Sequence, residues 1–149
     1  MFLPFASIKY DAQNNLQDVL LADSSLGTNT DIDIAVSDDG SFVLTWEFEG
    51  LGSDGKDIYA RIYNSDHNPV GSKFRVNTFT DSNQYDPRIG IDNQGEFVIT
   101  WEGGGSTERS GIHAQHFSAD GTPKFENEFL VNAPSFNIYA LCELIAEMT

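Results

Sequence analysis

The sequence predicts an all-β protein of β-propeller-like, four-stranded blades, with about two and a half repeats of ~55 residues in the chain. Three observations carry that reading. Residues 31–47 (DIDIAVSDDGSFVLTWE) return as residues 86–102 (DPRIGIDNQGEFVITWE), an internal repeat at a spacing of 55. Each repeat holds four strand-like runs separated by turn residues. The central run, FVLTWE, is apolar on both faces up to its glutamate, which asks for sheets stacked face to face. A β-sandwich of two similar halves is the alternative, although it favours a cleaner in–out alternation than these strands have.

In chain order, residues 1–30 read as a half repeat and a linker. Phe5-Ala6-Ser7-Ile8-Lys9-Tyr10-Asp11 resembles the run from Ile58 to Asn64, and Asp18-Val19-Leu20-Leu21 resembles Lys73-Phe74-Arg75-Val76. The expectation is two strands of a repeat entered in its middle. The first full repeat, 31–85, has strand-like runs at 31–37, 41–48, 57–64 and 72–77. Asp39-Gly40, and Gln94-Gly95 in the next repeat, lie where a tight hairpin needs residues that tolerate positive φ. Asp54-Gly55 and Asp120-Gly121 punctuate later turns. In the second full repeat, 86–132, Thr100-Trp101-Glu102 answers Thr45-Trp46-Glu47. There GIHAQHFS at 111–118 answers DIYARIYN at 57–64, and Phe129-Leu130-Val131-Asn132 answers Phe74-Arg75-Val76-Asn77. Residues 133–149 leave the repeat. Pro134-Ser135 offers a stop and an N-cap, and Ile138, Leu141, Cys142, Ile145 and Met148 fall at helical spacing. A helix is expected over 136–147, as a cap on a blade edge or as a dimerisation helix, with a short strand over 138–141 as the alternative.

Composition narrows the function classes. The 149 residues include 23 acidic against 8 basic side chains, a formal net charge of −15. A chain of this length buries roughly 68–70% of its unfolded surface, so its core needs no staple. The charge argues against nucleic acid, whose phosphates call for clustered Lys and Arg, and against an anionic membrane surface. A single cysteine, Cys142, excludes an internal disulfide framework and a Cys-based zinc site. The apolar start, Met1 to Ala6, is short and lacks a basic flank, so it does not read as a cleaved signal peptide. Propellers have typically four to eight blades, and two blades would leave apolar faces in water. Self-association into a closed ring, for example of three chains, is the expected remedy.

The phrases FVLTWE…DIYARIYN…GSKFRVNT and FVITWE…GIHAQHFS…FLVN resemble a tandem repeat of large bacterial and cyanobacterial exoproteins. Its pattern runs roughly dG-FVVtW, then gIyaqrYd-GtplG, then eFrVNt, and the resemblance covers residues 5–132. It implies propeller-like adhesion or binding modules, an extracellular setting, and frequent company with calcium-binding repeats. It implies no catalytic residues.

The candidate ligand-binding residues are Trp46, Glu47, Arg61, Trp101, Glu102 and Gln115. Glu47 and Glu102 hold the same place in successive repeats. A glycosidase instead needs two carboxyls within about 5–9.5 Å across one bond, an arrangement that breaks repeat symmetry. They read as strand-end carboxylates accepting backbone or arginine hydrogen bonds, and no enzyme is expected. Trp46 and Trp101 read as packing residues between blades or as sugar-stacking platforms, with Arg61 and Gln115 as the nearby polar groups. The acidic turns Asp38-Asp39, Asp54 with Asp57, and Asp92 with Asn93 could offer oxygen ligands to Ca²⁺, although none fits the D-x-[DN]-x-[DN]-G spacing. His113 and His116 lie three apart on a strand and point to opposite faces, so no transition-metal site is expected. Gly103-Gly104-Gly105-Ser106 lacks the lysine of a phosphate loop. The expected function is a non-catalytic repeat module that self-assembles and binds a glycan or a protein surface. A purely structural repeat and a weak calcium-binding adhesion module are the alternatives.

Overall fold

The computed structural model describes residues 5–10, 16–23, 25–52, 55–104 and 110–132. Among them every regular element is a β-strand, and every pairing is antiparallel. The chain is all-β, as the repeat predicts. The helix expected over 136–147 lies outside the described residues, as does the alternative strand over 138–141.

Strands β1 (Phe5–Tyr10) and β2 (Leu16–Asp23) pair as a two-stranded hairpin. Strands β3 (Gly27–Val36), β4 (Phe42–Gly50), β5 (Asp57–Tyr63) and β6 (Pro69–Arg75) form a four-stranded sheet in chain order. Strands β7 (Gln84–Ile91), β8 (Phe97–Gly104), β9 (Ser110–Phe117) and β10 (Phe129–Leu130) form a second sheet of the same up-and-down order. Neither sheet closes on itself.

The turns show why these residues make these strands. In four of the hairpins one residue adopts a left-handed conformation: Gly40, Gly95, Gly121 and, where a glycine would fit best, His67 (φ 65°). Each loop is closed by the same pair of main-chain bonds. In the first, Gly40 N–H donates to Ser37 and Ser37 N–H to Ser41. The acidic or amide residue of each turn adds its side chain. Asp39 accepts from Ser41, Asn64 from Asp66 and Asn68, Asp92 from Gln94 and Glu96, and Asp120 from Thr122. The repeated Val-Asn pair has a matching local reason. Val76 and Val131 bond the carbonyls of Ile58 and Ile112, and the Asn77 and Asn132 side chains accept from the same two residues' N–H groups.

The sheets begin earlier than the repeat suggests. β3 starts at Gly27 and β7 at Gln84, ahead of the expected boundaries at 31 and 86. A β-bulge allows this in both strands, with Asp31 and Asp86 at φ 49° and 50° while pairing resumes on either side.

The two sheets meet face to face. Val43, Ile58, Ala60 and Ile62 of the first sheet, with Val76 just beyond it, pack against Phe97, Ile99, Trp101 and Phe117 of the second, joined by Ile89 and Ile91 of β7. Phe97 stacks on Phe117 with ring centroids 5.1 Å apart. On the far side of the first sheet, Phe42, Leu44, Trp46 and Tyr63 form a second buried cluster. Strand β4 is therefore buried on both faces from Phe42 to Glu47, as its composition predicts. Strand β8 is not. Its inward residues Phe97, Ile99 and Trp101 are buried, but Glu102 on the outward face is exposed and Val98 and Thr100 only half-buried.

This difference is measurable. Val43→Ala removes a buried side chain from the inter-sheet core and is expected to cost about 2 kcal/mol. The repeat-equivalent Val98→Ala is expected to cost less than half of that. Urea titration of both variants at nanomolar concentration provides the comparison.

Candidate functional site at the seam between the sheets

The seam is held by a carboxylate. Glu47, 2% exposed, ends the buried run of β4. Its Oε2 accepts from Lys56 Nζ at 2.7 Å and from Thr30 Oγ1 at 3.0 Å, and its Oε1 accepts from the backbone N–H of Asp86 at 2.9 Å. The bulge at Asp86 turns that N–H out of its own ladder and toward the first sheet. Farther along, Asp33 Oδ2 accepts from Ile89 N–H at 3.0 Å, and the Ser37 hydroxyl donates to the Asp92 carbonyl at 3.3 Å. With the Gln84 N–H donating to the Lys56 carbonyl at 2.9 Å, β7 and the residue just after it are thus pinned to the first repeat at four points. Beyond it, Glu128 accepts from the backbone of Thr78 and Phe79 in the connection between the sheets.

Burial alone would push the Glu47 carboxyl up. The Lys56 hydrogen bond, the Asp86 N–H and the Thr30 hydroxyl outweigh it and hold the group below its ordinary value of 4.5. The same contact raises the Lys56 ammonium above its ordinary range. Carboxylate oxygens of Asp31, Glu47 and Asp86 come within 4.8 Å of one another, a set of hard oxygen donors. The Lys56 ammonium already supplies positive charge there.

Of the turn carboxylates considered as calcium ligands, Asp39, Asp57 and Asp92 are engaged in local bonding. Asp39 is held below its ordinary value, first by the Ser41 hydroxyl, and Asp120, a turn carboxylate outside that set, first by the Thr122 N–H. Asp57 accepts from Asn77 Nδ2 at 2.7 Å. Asp54, Gly105 and Ser106 lie outside the described residues.

The structure does not gather the six candidate residues into one pocket. Trp46 is buried in the far cluster, and Trp101 lies in the inter-sheet core with its Nε1 donating to Gln84 Oε1 at 2.9 Å. Neither indole presents a face to solvent, so the geometry is that of packing. Arg61 and Gln115 play equivalent parts in the two repeats, since their side chains donate to the carbonyls of Gly71 in β6 and of Phe125 in the β9–β10 connection, each within its own repeat. Glu47 lies in the seam and Glu102 on the open face of the second sheet. His113 stacks on Trp101, while His116 faces Glu96 at 3.4 Å.

At the opposite end of the seam from Glu47, the turns leave a cleft of about 210 Å³. Asp39, Tyr63, Asn64, Ile91, Asn93 and Gln94 contribute to its lining. It is open and smaller than the roughly 300–1,000 Å³ of pockets that enclose small molecules. Sequence reasoning missed Thr30, Lys56 and Asp86 at one end of the seam and Asn93 and Gln94 as cleft residues at the other. The repetition of Val-Asn in both repeats was the available signal for Asn77 and Asn132.

The ion pair gives a pH prediction. Because the folded Glu47 carboxyl titrates below its ordinary value, its stabilisation is full above pH 4.5 and is lost as pH falls through the folded value. Glu47→Gln is expected to cost about 2 kcal/mol at pH 7 and to flatten the acid limb of the stability curve. Thermal melts from pH 7 to pH 3 test both. Compared with protein-family models, with curated proteins and with solved structures, the chain gives no match in any of the three.

Proposed function

We propose that this chain is a non-catalytic, propeller-type repeat module whose activity is blade-on-blade association with protein surfaces, its own included. The observation that carries the reading is the Glu47 contact. The glutamate of a repeated Thr-Trp-Glu phrase is spent on fastening one repeat's sheet to the bulge of the next, not on a solvent-facing cleft. Repeated residues devoted to stacking repeats are what a solenoid or propeller scaffold needs. The chain-order sheets and their face-to-face packing fit blades, and the open face of β8 fits a blade that awaits a neighbour. The exoprotein resemblance supports the same class and an extracellular setting.

Light scattering tests this. At micromolar concentration the mass is expected to exceed the 16.5 kDa of one chain, and a clean monomer throughout would overturn the association reading.

The seam cleft favours a second reading, in which one sugar ring of a glycan seats against the turns. Asn93 and Gln94 are exposed there and offer amide donors and acceptors. Under this reading glycan-array binding is present, and Asn93→Ala with Gln94→Ala abolishes it without changing the melting temperature.

A further inference from the structure

The two ends of the molecule carry the two halves of the interface already formed in its middle. In the seam, Ile89 and Ile91 of β7 pack into the core shared with the first sheet, Pro87 beside them is buried, and Glu47 takes the Asp86 N–H. The repeat equivalents of those β7 residues are Ile32, Ile34 and Val36 on β3. They are 44%, 51% and 59% exposed, an apolar stripe on an ordered strand. The equivalents of the receiving residues Val43, Thr45 and Glu47 are Val98, Thr100 and Glu102 on β8. They lie on the open face, together with the exposed Arg88 and Gly90 of β7. Asp31, the equivalent of Asp86, has the same left-handed bulge (φ 49° against 50°) and is exposed.

We infer that a second copy of this chain docks head to tail, its Ile32, Ile34 and Val36 stripe lying on the Arg88, Val98, Thr100 and Glu102 face of the first. In that contact Glu102 accepts from the second copy's Asp31 N–H as Glu47 accepts from Asp86. The inference rests on the association reading above and adds its surfaces and direction. The occupant is a second copy because each copy carries exposed repeat equivalents of both sides of the seam, the β3 stripe and the outward face of β8, although Phe42, Leu44 and Trp46, the equivalents of Phe97, Ile99 and Trp101, are already buried. The match is not complete: Ile32 and Val36 stand for Pro87 and Ile91, Ser110 and Tyr85 stand where Lys56 and Thr30 serve Glu47, and one change reverses a charge. Arg88 replaces Asp33, so the carboxylate that pins Ile89 in the seam gives way to a cation. That cation opposes the acidic second copy, whose Asp31 lies beside the stripe. The contact is heterologous, so repetition produces a ring if the rotation closes and a filament if it does not.

Cysteine trapping reads the direction. On a Cys142→Ser background, one preparation carries Ile34→Cys and another Arg88→Cys, both at exposed positions. Under mild oxidation the equimolar mixture is expected to give a disulfide-linked dimer, while each preparation alone gives little. Glu102→Arg, at an exposed site, is expected to weaken association about tenfold, the loss of one charge-assisted hydrogen bond, with the monomer's melting temperature unchanged. Association without the mixed disulfide, or with disulfides in each preparation alone, overturns the head-to-tail surfaces and leaves the association reading standing. A chain that stays monomeric in the mixture and alone overturns that reading as well.

Discussion

The Glu47 carboxylate is where the two sheets become one structure. It is almost fully buried, it holds a lysine from its own sheet's loop, and it takes a backbone N–H from the first strand of the next. Each of these conditions depends on the others. An ionised carboxylate tolerates burial only when paired and hydrogen-bonded. The Asp86 N–H is available only because the bulge turns it away from its own ladder. The apolar core beside Glu47 keeps water from the carboxylate, while the Lys56 side chain remains 27% exposed.

Repetition makes the asymmetry of the molecule informative. Phe42 and Phe97, or Trp46 and Trp101, occupy matching places in their sheets and are buried alike. Glu47 and Glu102 also occupy matching places, yet one is buried and the other exposed. The residues themselves are the same, so the difference lies in what stands opposite. The first sheet faces the second, whereas on the inner part of the second sheet's outward face no described strand is paired or packed. Environment, not chemistry, separates a structural glutamate from a solvent-facing one.

Much of the architecture was legible because it is local. The Asp-Gly and Gln-Gly hairpins, the four strands per repeat and the both-face burial of β4 follow from turn chemistry and side-chain pattern. The strand starts were not legible in this way, because Asp31 and Asp86 read as boundaries but serve as αL bulges inside longer strands. His67 shows the same limit, since it holds a left-handed turn position that glycine fills in the other three turns and histidine takes only occasionally. The candidate site was less legible. That the tryptophans could pack was readable from composition, but which partners Glu47 would find was not. Lys56, Thr30 and Asp86 lie in three different segments, and only the folded seam brings them to one carboxylate.

The up-and-down order of the sheets also sets a sequence of events in time. Within each sheet every strand pairs with its neighbour along the chain, so short loops close each hairpin at small entropic cost. The bonds across the seam join residues far apart, 55 positions between Ser37 and Asp92 and 56 between Asp33 and Ile89. Each sheet can therefore assemble from its own segment before the long-range bonds form. On this topology, docking of the seam is expected to follow formation of the sheets, and its opening to precede their loss.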